Sequence, residues 1–188
     1  MVRQHRDKLS GLVEVDETYI GGAVPGKVGR GAAGKVIVAG AVDLRGKSAN
    51  RVRLKVIPNV TQETLTNFVQ ENVEEGSTVL TDDWLGYNKL AQAGFRHEID
   101  PDLTHIHRIF SLLKTWLLGT HHGVSPQHLQ AYLNEYTFRF NRRGTPMAAF
   151  QTVLGLSSTR LGPTYKGLYG IAKGQKLWTH PANPLRRQ

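Results

Sequence analysis

The pattern of apolar and polar residues along the first third of the chain predicts three β-strands. Residues 12–20 are rich in β-branched and aromatic side chains, residues 35–43 form an almost unbroken apolar run, and residues 51–57 alternate basic with apolar side chains. The run is typical of a strand covered on both faces, and the alternation is typical of a strand with one face in water. Because turn-forming residues connect the second and third runs, we expect an antiparallel three-stranded meander.

The pattern then changes between helical and extended periodicity. Residues 61–73 predict a helix behind a Thr61 cap, and residues 76–81 and 95–99 predict two short strands. Two amphipathic helices follow, with apolar stripes that run from Ile106 to Leu117 and from Leu129 to Phe140. We therefore predict an α/β (α+β) fold with a mixed five-stranded sheet, in which the first three strands are antiparallel and helices flank the sheet.

Length and composition favour one domain followed by a tail. The chain has 188 residues, 39% of them hydrophobic, which is enough for a sizeable core. Residues 1–10 are polar and basic and are expected to form a frayed lead-in to a domain at 11–156. Residues 157–188 are rich in Gly, Pro, Lys and Arg and are predicted to form a loosely ordered basic tail.

The charge of the chain narrows the class of partner. The formal net charge is +9, and the sequence has neither a long apolar run nor a basic amphipathic helix, so a nucleic acid is favoured over a membrane. The sequence contains no cysteine, which excludes disulfides and thiolate metal sites. The first residues have no apolar segment of the kind found in secretory leaders, and a cytoplasmic location is expected.

Two aspartates stand in predicted strands where an unpaired carboxylate would be costly. Asp16 lies in the middle of the first strand, and Asp82 directly follows the fourth. If these two strands are neighbours in the sheet, the two carboxylates face each other across about 4.8 Å. Such a pair repels strongly unless a divalent cation lies between the carboxylates, and oxygen ligands favour Mg²⁺ or Mn²⁺. Metal-dependent chemistry on a phosphodiester suits a basic protein.

Other polar residues have less specific interpretations. The glycine-rich segment 21–34 and the residue that follows it carry Lys27, Arg30 and Lys35, which either grip DNA phosphates or belong to a long hairpin connection. The three arginines at the end of the last amphipathic helix are interpreted as phosphate contacts: Arg139, Arg142 and Arg143. Glu14 and Glu17 flank Asp16, either as residues that support it or as surface pairs.

Several sequence blocks, in the same order, resemble the catalytic domain of bacterial insertion-sequence transposases of the ISXO-like type. The blocks are residues 13–22, 29–35, 81–87, 111–114, 118–121, 124–126 and 132–143. The resemblance covers about residues 8–150. It implies a ribonuclease H-like fold, a metal site of the Asp/Asp/acid type, and cleavage and joining of DNA ends.

The resemblance also assigns residues to the metal site. The first two metal-binding aspartates fall on Asp16 and Asp82, with Asp83 where the family more often has glycine. The third position is occupied by His107, seven residues before Lys114, in a branch of the family in which this position varies. A neutral imidazole can ligate a divalent ion but brings no negative charge. Lys114, two turns further along the helix, is expected to contact a DNA phosphate or the scissile group.

The resemblance makes a DNA transposase the first hypothesis. Its partners are then the element ends and target DNA, with assembly into at least a dimer and no role for a membrane. The family usually has an N-terminal zinc ribbon and helix-turn-helix; the chain begins too late for them, which predicts a truncated copy or end recognition supplied elsewhere. A catalytically inactive DNA-binding remnant and a structure-selective nuclease on the same fold are the alternatives.

Overall fold

A five-stranded mixed sheet forms the centre of the molecule. The computed structural model describes residues 6–21 and 35–159, so Lys27, Arg30 and residues 160–188 of the predicted tail lie outside the described residues, while residues 157–159 of that tail belong to a helix. The strands are β1 (Leu12–Ile20), β2 (Val36–Arg45), β3 (Ser48–Ile57), β4 (Thr78–Thr81) and β5 (Arg96–Ile99). They lie in the order β3-β2-β1-β4-β5. The first three are antiparallel, and β4 runs parallel to both β1 and β5, which confirms the predicted sheet.

In the described residues, four α-helices accompany the sheet: α1 (Gln62–Asn72), α2 (Thr104–His121), α3 (Leu129–Asn141) and α4 (Pro146–Thr159). The predicted cap of α1 is present, since the Thr61 side chain accepts a hydrogen bond from the backbone N–H of Thr64. Two short 3₁₀ turns, at Leu85–Tyr87 and Pro126–His128, precede β5 and α3.

The sheet has a hydrophobic core on each face. On one face, Val13 and Val15 of β1 pack with buried residues of α1, among them Phe68. On the other face, Val38 and Val42 of β2 pack with α2 and α3. Because side chains alternate between the faces of a strand, β1 and β2 contribute to both cores, as their apolar runs predict.

Side chains of α3 cover the free edge of β3. The Asn141 amide accepts from the backbone N–H of Val52 at 2.7 Å and donates to the Val52 carbonyl at 3.1 Å. Gln130 accepts from the backbone N–H of Val56 at 2.9 Å. Edge strands with unpaired backbone groups invite aggregation, so these two amides take the place of a further strand.

The predicted lead-in differs from the structure at residues 6–10. Leu9 is fully buried and forms a parallel bridge with Val73, with backbone hydrogen bonds to Asn72 and Glu74. Leu9 is therefore a component of the core, whereas residues 6–8 and residue 10 are exposed. One leucine among charged neighbours has no periodicity, which is why the sequence pattern did not reveal it.

Within the parts of the chain that the structure describes, no helix has the length and apolar character needed to cross a membrane.

Candidate active site

The two aspartates singled out from the sequence lie on neighbouring strands, Asp16 in the middle of β1 and Asp82 directly after β4. β1 and β4 pair in parallel as far as Glu14 and Leu80, and the same register continued for two residues places Asp16 opposite Asp82. An open cleft of about 490 Å³ begins there. It is lined by residues of β1, the end of β4, the start of β2 and helix α2: Asp16, Glu17, Thr18, Tyr19, Lys35, Asp82 and Lys114.

The Asp16 side chain is largely buried, at 13% exposed. Burial raises the pKa of this carboxyl group, and the nearby Asp82 carboxylate also raises it. A backbone hydrogen bond from Glu17 and the His107 imidazole act in the opposite direction. The protein thus holds a carboxylate where its negative charge is incompletely compensated, a setting that a cation would relieve.

His107, on helix α2, contacts the Asp16 side chain of strand β1. Its Nε2 atom lies 3.1 Å from Asp16 Oδ2, although 91 positions separate the two residues in sequence. The imidazole is half exposed, with 52% of its side chain accessible, so solvent or a ligand can reach it. The structure therefore joins Asp16 to both predicted partners, to His107 by contact and to Asp82 through the shared cleft.

The predicted metal ligands have the donor atoms that a hard divalent cation prefers, but these side chains are not spaced as a complete coordination shell. The carboxylates of Asp16 and Asp82, on adjacent strands, supply the oxygen donors that Mg²⁺ and Mn²⁺ prefer. In the described segments, however, no group of three or more His, Asp or Glu side chains is spaced to hold a metal ion. The site in this structure is a convergence of donors, not a closed coordination shell.

A short chain of hydrogen bonds determines the position of Asp82. The Thr81 hydroxyl donates to the Asp82 carbonyl at 2.8 Å, and His97 Nε2 lies 2.8 Å from the same hydroxyl. Asp82 Oδ1 accepts from the backbone N–H of Trp84 at 3.2 Å. Asp83 is exposed and is not among the residues that line the cleft, so the geometry favours Asp82 as the functional aspartate.

Two of the predicted DNA-binding lysines lie in the same cleft as the aspartates. Lys114 projects from α2, two turns after His107, and Lys35 immediately precedes β2. Positive side chains beside a carboxylate cluster can hold a phosphate backbone close to it.

The arginines at the end of α3 lie elsewhere. Arg143 donates to the carbonyls of Asn50 at 3.0 Å and of Phe140 at 2.9 Å, and also to that of Ala49. Arg139 pairs with Glu135 at 2.8 Å. The guanidinium of Arg142 lies 4.3 Å from the centre of the Phe138 ring. This group lies beside β3, which β2 separates from β1, so its predicted phosphate contacts are remote from the cleft.

Glu14 has a structural role that the sequence left open. It is 3% exposed, and its Oε2 atom accepts backbone hydrogen bonds from His105 at 2.9 Å and from Ile106 at 2.8 Å. Its Oε1 atom accepts from His105 Nδ1 at 2.6 Å, and this hydrogen bond raises the pKa of His105. The available sequence signal was an acid between Val13 and Val15, in a strand with many apolar residues.

Glu17 also has a buried partner. The Tyr87 hydroxyl donates to Glu17 Oε2 at 2.9 Å, and Tyr87 is fully inaccessible to solvent. Burial, followed by the charge of Glu17, raises the pKa of Tyr87 well above its ordinary value. Glu17 is thus a third carboxylate that lines the cleft, and its side chain is held by a hydrogen bond from the neutral phenol of Tyr87.

The fold has the architecture of retroviral integrase cores. The catalytic core domain of BIV integrase superimposes with a TM-score of 0.51 at 15% identity, covering 80% of this chain and 97% of that chain. A second solved structure, the HTLV-2 integrase catalytic core domain in complex with magnesium, in its dimeric form, has a TM-score of 0.45 at 17% identity. It covers 73% of this chain and 90% of that one.

The sequence defines the family more narrowly. Residues 8–141 match the ISXO2-like transposase domain, and the chain belongs to that family. It is also 30% identical over 100 residues to an uncharacterized transposase-like protein of Haemophilus influenzae, covering 48% of this chain and 81% of that protein. The predicted resemblance to insertion-sequence transposases and the ribonuclease H-like fold are confirmed.

Proposed function

We propose that this domain cleaves DNA strands at the ends of an insertion sequence and joins the freed ends to target DNA, in a reaction that depends on Mg²⁺ or Mn²⁺. One observation carries the proposal. Asp16, in the middle of β1, and Asp82, directly after the parallel strand β4, line the same cleft, which also contains two lysines. Family membership supports the class of activity, and this placement supports the choice of site.

Asp16 and Asp82 would hold the divalent ion, with His107 as the third ligand. Bound there, Mg²⁺ or Mn²⁺ would supply the Lewis acidity that activates a water molecule or a 3′-hydroxyl toward a phosphodiester. The contact between His107 and Asp16 brings the imidazole to the carboxylate that it would join in binding the ion. Because His107 carries no negative charge when neutral, the two aspartates carry the electrostatic part of the site.

Lys114 and Lys35 would hold the DNA. Both line the cleft, and a lysine ammonium is a point charge that binds phosphate without reading sequence. These residues would thus place a phosphodiester beside the two aspartates. Lys27 and Arg30, from the segment before β2, are proposed to extend the same contact.

The joining reaction also suggests an assembly. Since two element ends must be joined to one target, we propose that the active form contains at least two copies of the chain. Size-exclusion chromatography with light scattering, with and without DNA, measures the number of copies directly.

Plasmid DNA distinguishes this proposal from its alternatives. The protein is incubated with supercoiled plasmid and a labelled oligonucleotide that has a free 3′-hydroxyl, with Mg²⁺ or Mn²⁺. We expect nicking of the plasmid and covalent transfer of the label to it. The Asp82→Asn variant should lose both activities, and the matched variant Asp83→Asn, next to it but outside the cleft, should keep them.

The other outcomes identify the other functions. Nicking without joining would indicate a nuclease. DNA binding without either reaction, equal in the wild type and in Asp82→Asn, would indicate an inactive remnant.

A further inference from the structure

Helix α2, which carries His107 and Lys114, begins without a cap of its own. Its N-cap residue is Leu103, in a left-handed conformation with φ of 35°, and no side-chain cap hydrogen bond is formed from that position. The first backbone N–H groups of a helix have no intrahelical acceptor and need another partner. Here the partner comes from the central strand of the sheet.

That partner is the buried carboxylate of Glu14. One of its oxygens accepts hydrogen bonds from the backbone N–H groups of His105 and Ile106, and the other accepts a hydrogen bond from Nδ1 of His105. On the far side of its ring, His105 Nε2 lies 3.3 Å from the carbonyl oxygen of Lys47, in the turn between β2 and β3. The start of α2 is therefore hydrogen-bonded to the sheet at two places, Glu14 of β1 and the turn between β2 and β3.

The hydrogen bonds between Glu14 and the start of α2 lie directly beside the candidate metal ligands. Glu14 precedes Asp16 by two residues on β1 and contacts the same helix, and His105 precedes His107 by two residues on α2. The 3.1 Å contact between His107 and Asp16 is the next one along the same two elements. Because the His107 side chain is half exposed, packing around the imidazole restrains it only in part. The placement of the start of α2, which carries this residue, therefore bears on the position of the imidazole.

We infer that Glu14 is a positioning residue, which places His107 against Asp16 by capping α2 from within β1. The consequence for metal binding rests on the proposed function, whereas the placement of the imidazole does not. If Glu14 served only stability, its loss would weaken the fold and leave the geometry of His107 unchanged.

The test is the Glu14→Gln variant, compared with Thr61→Ala. A glutamine amide has one acceptor oxygen where the carboxylate has two, so it cannot accept all three hydrogen bonds, and Glu14→Ala, measured beside it, removes every acceptor. Thr61→Ala removes the cap of α1, on the other face of the sheet, and is the matched control for a lost helix cap. Circular dichroism shows whether each variant is folded at the measuring temperature.

The first readout needs neither metal nor DNA. In protein labelled with ¹⁵N-histidine, the His107 Nε2 resonance, assigned with a His107→Gln variant, reports its hydrogen bond to Asp16. We expect this resonance to shift toward that of free imidazole in Glu14→Gln and to stay at its wild-type position in Thr61→Ala. Folded Glu14→Gln and Glu14→Ala proteins that both keep an unshifted His107 resonance would overturn the inference.

The second readout is Mn²⁺ affinity, measured by electron paramagnetic resonance. We expect a loss of about tenfold or more in Glu14→Gln and no change in Thr61→Ala, since residues that orient metal ligands typically have effects of this size. A wild-type protein that binds no Mn²⁺ would contradict the proposed function, while the nitrogen resonance would still decide the role of Glu14. If neither variant folds, Glu14→Asp, whose carboxylate is one methylene group further from the helix, replaces them in both measurements, with shifts in the same direction expected and unchanged values contradicting the inference.

Discussion

The ring of Phe110 packs directly on Gly40, the β2 residue paired with Asp16. A Cβ atom added to Gly40 would lie 2.7 Å from Cε1 and Cζ of Phe110 and 3.0 Å from Cδ1 of Ile106. The register of β1 and β2 places Gly40 opposite Asp16. The missing side chain thus lets α2 approach the sheet closely at the level of the candidate site.

Replacing this glycine is therefore expected to push α2 away from the sheet. We predict that Gly40→Ala lowers the free energy of unfolding by about 1–3 kcal/mol, the usual cost of overpacking a core. Gly119→Ala, within α2, is the matched control, because no atom lies within 4 Å of its added Cβ. Since alanine favours a helix over glycine, the control should gain about 0.5–1 kcal/mol. Chemical denaturation measures both, and equal stabilities would contradict the close packing described above.

The hydrogen bond between Tyr87 and Glu17 leads to a second prediction. Tyr87→Phe keeps the buried ring but removes the donor that lies 2.9 Å from the Glu17 carboxylate. We expect a loss of about 1.5–3 kcal/mol in the free energy of unfolding, in line with hydrogen bonds to charged acceptors. Urea denaturation of the variant and the wild type at neutral pH provides the comparison. A variant as stable as the wild type would show that this phenol does not hold Glu17.

The sheet was predictable because its pattern is local. The apolar runs of β1 and β2 and the alternation in β3 indicate strands over a few residues, and the Thr61 cap signals α1 over four. The adjacency of Asp16 and Asp82 followed once the first and fourth strands were taken as neighbours, and the sheet order bears this out.

The interactions that sequence reasoning missed are those between distant segments. The carboxylate of Glu14 meets donors 91 and 92 positions away, and Glu17 meets Tyr87 70 positions away. No spacing rule links such residues, so an acid in a strand can be recognised as costly while its partner stays unknown. The burial of Leu9 was missed for the same reason, since its partner is Val73.

His97 leads to a prediction about pH. Burial lowers the pKa of His97 below its ordinary value of 6.5. Between the lowered pKa and 6.5, the unfolded chain therefore binds more protons than the folded one. This residue consequently makes the free energy of unfolding fall as the pH decreases from about 6.5 through the folded pKa, and rise again as the pH increases.

The comparison with His97→Gln isolates that contribution from those of other groups. Urea denaturation of both proteins between about pH 5 and pH 8 should show a smaller loss of stability toward acid in the variant. Parallel curves for the two proteins would mean that folding does not lower the pKa of His97.

The cleft lysines lead to a prediction about DNA affinity. Lys114→Met should weaken binding to duplex DNA of any sequence and reduce the slope of log K against log salt by about one unit, because one phosphate contact is lost. Lys89→Met, at an exposed lysine that does not line the cleft, is the control and should behave as the wild type. Fluorescence anisotropy over a range of salt concentrations measures both quantities. Identical slopes for the two variants would remove Lys114 from the DNA-binding surface.

The most direct test of the central claim is calorimetric titration of Mn²⁺ into the wild type and three variants: Asp16→Asn, Asp82→Asn and Asp83→Asn. If Asp16 and Asp82 together hold the ion, each of their asparagine variants will lose at least about tenfold in affinity, while Asp83→Asn binds as the wild type. Wild-type affinity in Asp16→Asn would contradict the claim.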